Sequence, residues 1–119
     1  MTSKLLAQLK EEDFWSLPCI HSGEFGVEAE HSFEYARKQI QERWAIVPVK
    51  RKYNRNPTSD IKEKSQLYAM NQAKTMGVWE RIKRDYPKKN WDNWYAILMV
   101  KYNKTYHIYH KKAFKRKYV

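Results

Sequence analysis

Glycine, proline and cysteine are scarce in this chain, and the scarcity of each excludes certain structural features. Of 119 residues, 3 are glycine and 4 are proline, which leaves little room for a flexible linker and favours a single domain over residues 1–119. Cys19, the single cysteine, cannot form an internal disulfide, as is typical of proteins in a reducing, intracellular compartment. No glycine-rich phosphate-binding loop is present.

Long apolar runs are also missing. The densest run, Trp94–Val100, is far shorter than the roughly 20 residues of a membrane helix, and the N-terminus lacks the apolar core of a signal peptide. We therefore expect a non-secreted protein with no membrane partner. A hydrophobic content of 42% with 15% aromatic residues is nevertheless too high for a disordered chain, so the protein should fold.

Positive charge is abundant and unevenly distributed. The net charge is +11, but residues 1–48 contribute −3 (5 Lys/Arg against 8 Asp/Glu) and residues 49–119 contribute +14 (19 against 5). This surplus favours a polyanionic partner for the basic C-terminal part, and nucleic acid, DNA or RNA, is the first choice. The acidic N-terminal part would face away from that partner or contact another protein.

Hydrophobic spacing predicts most of the secondary structure in the first half. A short helix is expected over Lys4–Lys10, capped by Thr2 or Ser3. A long helix is expected over Val27–Trp44, because apolar residues recur there every three or four positions. Ala45–Val49 is predicted to be a short strand that lies at an edge or breaks at Pro48, since Pro48 cannot donate a ladder hydrogen bond.

The second half begins with a basic loop, Lys50–Pro57. Thr58, Ser59 or Asp60 should then cap a helix that extends to Tyr86, with Gly77 as a possible division and Pro87 as its end.

The C-terminal quarter allows two interpretations. In the first, a β-hairpin is formed by Trp94–Tyr102 and Thr105–His110, with Asn103-Lys104 as the turn, because Asn tolerates positive φ. Many residues of the two strands are aromatic or β-branched, which favours a sheet. In the second, a helix capped by Asn90 places six residues on one face: Trp91, Tyr95, Leu98, Tyr102, Thr105 and Tyr109. Residue type favours the hairpin.

These elements predict an α+β fold with three to four helices packed on a small, mainly antiparallel sheet. The sheet would contain Ala45–Val49 and the C-terminal hairpin. The alternative is an all-α bundle with a long C-terminal helix. The predicted core residues are Ala29, Phe33, Ala36, Ile40, Trp44, Trp79, Ile82, Ile97, Leu98 and Val100.

Three basic segments with nearby aromatic residues carry the functional hypothesis. Lys and Arg neutralise phosphates, and exposed aromatic rings stack on unpaired bases. The predicted nucleic-acid-binding residues are Lys50, Arg51, Lys52, Tyr53, Arg55, Arg81, Arg84, Lys88, Lys89, Lys111, Lys112, Lys115, Arg116 and Lys117. A helix-turn-helix over Val78–Tyr86 and a helix from Trp91 is a variant, although its second helix offers few polar side chains to read base edges.

Catalytic and metal sites have weaker support. A metal-dependent nuclease would need carboxylates at strand ends, but none of the candidates lies on a predicted strand: Glu24, Glu28, Glu30, Asp60 and Glu63, with Lys62 or Lys64 nearby. The possible soft ligands lack the paired spacing of a zinc site: Cys19, His21, His31, His107 and His110. We therefore expect no catalytic residues, metal or cofactor.

The sequence thus favours a small, basic, non-enzymatic nucleic-acid-binding protein. A structural subunit of a nucleoprotein or virus assembly and a divergent metal-dependent nuclease are the alternatives.

Overall fold

The computed structural model of the protein describes residues 1–102. Within this range the helices are α1 (Ser3–Glu11), α2 (Arg51–Arg55), α3 (Ser59–Thr75), α4 (Trp79–Asp85) and α5 (Trp91–Tyr102). The strands are β1 (Glu28–His31), β2 (Glu34–Tyr35), β3 (Lys38–Gln39) and β4 (Ile46–Val49), with single 3-10 turns at Phe14–Ser16 and Arg43–Ala45. Both strand pairs, β1 with β4 and β2 with β3, are antiparallel, so the predicted α+β class is confirmed.

The first helix begins where its capping residue predicts. The hydroxyl of Thr2 accepts a hydrogen bond from the backbone N–H of Leu5 at 3.2 Å, which satisfies one of the free amides of the first turn. Leu5 and Leu9 lie on one face of α1 and are both buried. The expected helix over Lys4–Lys10 is therefore confirmed.

Strand β4 is buried along its whole length and pairs with β1. The register runs from Glu28 opposite Val49 to His31 opposite Ile46, and Pro48 lies opposite Ala29. In this two-stranded ladder β4 is an edge strand, as expected for a strand that contains proline. Its outer carbonyl groups are occupied, because Pro48 accepts from the N–H of Ile20 at 3.1 Å and Ile46 accepts from Gln72 Nε2 at 2.9 Å.

The helix predicted over Val27–Trp44 is wrong. This stretch contains β1, a β2–β3 hairpin whose turn residues Ala36 and Arg37 have φ of 52° and 67°, and a 3-10 turn. The apolar strand β4 needs a partner for its backbone groups, and pairing with residues 28–31 overrides the helical spacing. Ala36, a predicted core residue, is consequently exposed at the hairpin turn.

The helix predicted to follow a cap at Thr58, Ser59 or Asp60 is confirmed, with Thr58 as the cap, together with its division at Gly77. The Thr58 hydroxyl accepts from the N–H of Ile61 at 3.3 Å, and α3 ends two residues before Gly77. Gly77 has φ of 74°, a left-handed conformation that favours glycine and reverses the chain into α4.

The strand predicted over Trp94–Tyr102 is also wrong, because this stretch belongs to α5. The side chain of Asn90 accepts from the N–H of Asn93 at 3.2 Å and caps the helix. The helical alternative is correct here, since Trp91, Leu98 and Tyr102 are buried on one face. The rest of the predicted hairpin, Asn103-Lys104 and Thr105–His110, lies outside the described residues.

The buried residues form a core rich in aromatic side chains. Six of the predicted core residues are buried: Phe33, Ile40, Trp44, Trp79, Ile82 and Leu98. Ala29 is half-buried. The predictions for Ile97 and Val100 are wrong, because these side chains are 55% and 88% exposed on the outer face of α5. Trp91 lies at the centre, with its ring within 6.3 Å of those of Trp44, Trp79 and Trp94.

Candidate nucleic-acid interface

The segment predicted to be a basic loop, Lys50–Pro57, contains the short helix α2. Arg51, Lys52 and Arg55 are exposed, and together with Asn56 they line an open recess of about 550 Å³. Arg55 pairs with Glu28 at 3.2 Å, whereas Arg51 and Lys52 form no ion pair with any acidic residue in the described part of the chain. These two cations are therefore available to an external anion.

The opposite side of α2 fixes it against β1 and α3. Asn54 donates to Glu28 Oε1 at 2.8 Å, and the Tyr53 ring lies 5.3 Å from the His21 ring. The half-buried ring of Tyr53 packs against the core, while Lys52 Nζ lies 4.9 Å from its centroid. Tyr53 therefore positions α2 and offers only part of its ring to a ligand.

The start of α3 adjoins α2 and carries two further cations. Lys62 lines a cavity together with Asn54 and Pro57, which places it beside the end of α2. Lys64 lies near His21 and is one cause of its lowered pKa. Neither lysine forms an ion pair among residues 1–102. We call Arg51, Lys52, Lys62 and Lys64 the basic end.

Helix α5 ends beside the same part of α3. The Tyr102 hydroxyl lies 2.6 Å from Glu63 Oε1 and 3.0 Å from Asp60 Oδ1. Lys101 Nζ donates to Glu63 Oε1 at 2.8 Å, and these two hydrogen bonds lower the pKa of Glu63. The last described residue is thus attached to the first two turns of α3.

The predicted binding residues at 111–117 lie outside the described part of the chain. Residues 103–119 contain six of the 24 Lys and Arg residues and no Asp or Glu. They follow Tyr102 in the chain, and the centroid of the Tyr102 ring lies 5.7 Å from Lys64 Nζ of the basic end.

The predicted binding residues at 81–89 occupy a different part of the molecule. Arg81 donates to Asp85 at 2.8 Å and also pairs with Glu42, so its charge is neutralised within the fold. Those carboxylates raise the pKa of its guanidinium. Arg84 and Lys88 are exposed, and Lys89 Nζ lies 4.8 Å from the centroid of the Trp94 ring.

The length of α3 separates the two groups of cations. Helix α2 precedes its N-terminus and α4 follows its C-terminus. At ~1.5 Å per residue, a helix of 17 residues is about 25 Å long. The structure therefore places residues 50–55 and Tyr102 beside the start of α3, and residues 81–89 after its C-terminal end.

A polar cavity of about 290 Å³ lies directly beside the recess on α2. Glu30, Ser32 and Lys62 are among its lining residues, and Glu30 is only 8% exposed. The Glu30 carboxylate accepts from Ser32 Oγ at 3.3 Å and from the Ser65 hydroxyl. Burial raises the pKa of Glu30, although these hydrogen bonds and Lys62 act in the opposite direction. We call this space the Glu30 cavity.

His21 belongs to the same buried polar group. Its Nε2 lies 2.9 Å from Ser65 Oγ, and burial lowers its pKa to about 4, with Lys64 adding to the effect. The imidazole is therefore neutral at pH 7. Ser65 is fully buried, so its hydroxyl cannot meet a substrate as a nucleophile.

The other candidate ligands have separate structural roles. Cys19 is buried, and its sulfur accepts from the backbone N–H groups of His21 and Lys50 at 3.4 and 3.3 Å. His31 Nε2 lies 3.2 Å from Gln41 Oε1. Among residues 1–102 no three His, Cys, Asp or Glu side chains converge to hold a metal ion. His107 and His110 lie outside this range.

Two predictions about the surface are modified. Glu28 and Glu30 both lie on β1, so the expectation that strands carry no candidate carboxylate is wrong. The α4–α5 pair has the order of a helix-turn-helix, but the outer face of α5 exposes Ile97 and Val100. Such apolar side chains cannot form hydrogen bonds with base edges.

Sequence reasoning missed Lys62, Lys64 and Glu30 as members of one surface. Lys62 and Lys64 lie on the helix start, where charged residues are ordinary, and the sequence predicts Glu30 in a helix although it lies on strand β1. The turn at Asn56-Pro57, which brings α3 back beside α2 and β1, is the only local signal that joins them.

None of the helices within residues 1–102 is both long enough and apolar enough to cross a membrane. Comparison of the chain with protein-family models, with curated proteins and with solved structures found no match.

Proposed function

We propose that this chain is a small, non-enzymatic nucleic-acid-binding protein that contacts phosphates through the basic end and the basic segment that follows it. The observation that carries the proposal is the attachment of Tyr102 to Asp60 and Glu63 at the start of α3. Tyr102, which precedes the basic residues 103–119 in the chain, is therefore held at the start of α3, where the basic end also lies.

The electrostatics of the described residues support a phosphate contact there. Arg51 and Lys52 are exposed and form no ion pair within residues 1–102, although the charge of Arg51 acts on the Glu28 carboxylate, so binding a phosphate releases counterions without breaking an internal ion pair. Arg55 already bonds to Glu28, and a phosphate must compete with that carboxylate. We therefore assign the main contact to Arg51 and Lys52 and a smaller one to Arg55.

The cations near α4 supply a second, separate contact. Arg84 and Lys88 follow the C-terminal end of α3, whereas the basic end lies at its start, and α3 is about 25 Å long at ~1.5 Å per residue. A strand rises ~3.4 Å per nucleotide in a duplex, so about eight base pairs are needed to reach both regions. Affinity should therefore increase with ligand length up to about that size.

The direct test is a salt titration of binding by the full chain to fluorescent duplex DNA, single-stranded DNA and RNA. If several phosphates are neutralised together, affinity should fall by at least tenfold between about 50 and 200 mM salt. An affinity that does not change with salt, or no binding to any of the three ligands, would contradict the proposal.

A structural subunit of a nucleoprotein assembly is a second candidate, supported by a different observation. Ile97 and Val100 lie three residues apart on α5 and are 55% and 88% exposed. Adjacent apolar side chains on one helix face are typical of a protein contact. Sedimentation of the chain and of the Val100→Ser variant would test this role. The parent chain should form an assembly larger than a monomer, and the substitution should weaken that assembly.

A further inference from the structure

The Glu30 cavity and the basic end share the segment that connects α2 to α3. Asn54 and Pro57 line the cavity, while Arg55 and Asn56, which lie between them in the chain, line the recess. A strand whose phosphates lie on the recess would therefore come close to residues that line the cavity. The cavity volume of about 290 Å³ is near the lower limit of ligand pockets, about 300 Å³.

The cavity lining presents a buried acceptor and a charged donor. Glu30 and Lys62 both line it, and Lys62 is close enough to affect the Glu30 carboxylate. An ionised carboxylate offers about four acceptor positions, and the Ser32 and Ser65 hydroxyls supply only two donors. A ligand with N–H groups would restore hydrogen bonds that burial removes from Glu30.

We propose that the Glu30 cavity binds an unpaired guanine base, with the Glu30 carboxylate accepting from N1–H and N2–H and Lys62 donating to O6. The placement of this base in a strand depends on the proposed function, because the basic end supplies the phosphate contacts. The amides of Asn54 and Gln39 also line the cavity and can hydrogen-bond the remaining polar atoms of the base.

The order of polar groups explains the choice of base. The Watson–Crick edge of guanine presents one acceptor and two adjacent donors, which match an ammonium group beside a carboxylate. Adenine and cytosine each place a ring nitrogen acceptor against the carboxylate, which leaves a buried acceptor without a donor. Uracil offers one N–H group, so it should rank second.

The test uses the full chain and nine-nucleotide RNA strands of uridine in which only the central position varies. The strand with a central guanine should bind about tenfold more tightly than those with adenine or cytosine. The Glu30→Gln variant should lose this preference and keep most of its affinity for the all-uridine strand. Glu34→Gln, which changes an exposed carboxylate on β2, should keep the preference.

A second pair of variants keeps the test decisive if Glu30→Gln fails to fold, as judged by near-ultraviolet circular dichroism. Lys62→Gln should reduce both the overall affinity and the preference for guanine, because it removes the donor to O6. Lys52→Gln removes one charge outside the cavity, so it should reduce the affinity for all four strands equally.

The outcomes separate the cavity from the proposed function. Equal affinity for all four strands would overturn the guanine assignment and leave phosphate binding intact. A failure to bind any strand would overturn phosphate binding. Titration with guanosine and adenosine monophosphates shows whether the base comes from a strand or from a free nucleotide. If no strand binds, binding of guanosine monophosphate that requires Glu30 would support the cavity as a site for the free nucleotide.

Discussion

Glu12 Oε2 lies 2.7 Å from Arg43 Nε, and the Arg43 side chain is only 2% exposed. This ion pair joins the end of α1 to the turn that precedes β4. Arg43 Nη1 also donates to the carbonyl oxygen of Ile46 at 3.0 Å, so the guanidinium connects two neighbouring segments. The N-terminal helix is therefore attached to the core by a charge as well as by Leu5 and Leu9.

The Glu12→Gln substitution should destabilise the fold by about 3 kcal/mol, because it leaves the buried Arg43 charge without its carboxylate. Urea unfolding measures this free energy directly. Glu11→Gln changes an exposed neighbour on the same turn and should have an effect close to zero. Similar values for the two variants would show that the ion pair does not stabilise the fold.

Replacing Gly77 tests the backbone alone. An added Cβ would meet no atom within 4 Å, but the φ of 74° is unfavourable for an L-residue. Gly77→Ala should therefore reduce the free energy of unfolding by about 1–2 kcal/mol. Gly77→Asn should reduce it less, because asparagine tolerates the left-handed region. If both variants lose the same amount, φ is not the cause.

His21 should make the stability depend on pH. Its folded pKa of about 4 lies below its ordinary value of 6.5, so between these values the unfolded chain binds the proton more readily. The free energy of unfolding should therefore fall as the pH is lowered through this window. The His21→Asn variant should lack this contribution. The difference in the free energy of unfolding between the parent and this variant should therefore change with pH only below about 6.5.

Unfolding by urea at several pH values gives this comparison. Glu30 has a raised pKa and acts in the opposite direction above its ordinary value, because the folded state then holds the proton more tightly. Because both side chains bond to Ser65, the comparison is made with Glu30→Gln present in both proteins, so that the difference between them isolates His21. A difference that is constant from pH 4 to 7 would contradict the assignment.

The basic end should determine the salt dependence of nucleic-acid binding. Replacing Arg51 and Lys52 by Ser should weaken binding and reduce the slope of log affinity against log salt by about 2, one for each lost phosphate contact. Fluorescence anisotropy at several salt concentrations measures both quantities. The matched control replaces Lys4 and Lys10, two exposed lysines on α1, and should leave the slope nearly unchanged.

The local signals in the sequence predicted several elements correctly. Thr2 and Thr58 cap the helices that follow them, and Gly77 ends α3. Each of these features depends on a few adjacent residues, and the physical rule that governs it acts over the same short distance.

The errors arose where distant residues decide the conformation. Phe33, Ile40 and Trp44 are buried as predicted, but pairing between β1 and β4 makes the chain extended there. The reverse occurred in α5, where the run of apolar residues suggested a strand buried on both sides although Val100 is exposed. Hydrophobic content alone does not reveal how many faces of an element are covered.

The candidate site was predicted only in part for the same reason. The cations of residues 50–55 are evident from composition. Their proximity to Lys62, to Glu30 and to the end of α5 depends on the packing of α3 against its neighbours. No spacing within any one segment contains that information.

The clustered indole rings allow tryptophan fluorescence to report whether α5 is packed against the core. Trp44, Trp79, Trp91 and Trp94 lie around one centre in which neighbouring ring centroids are 5.8–6.3 Å apart, near α4 and the start of α5. Their emission should redshift when α5 separates from the core and water reaches these rings. A ligand that occupies only Arg51 and Lys52 should leave the spectrum almost unaltered, so fluorescence distinguishes occupancy from unfolding.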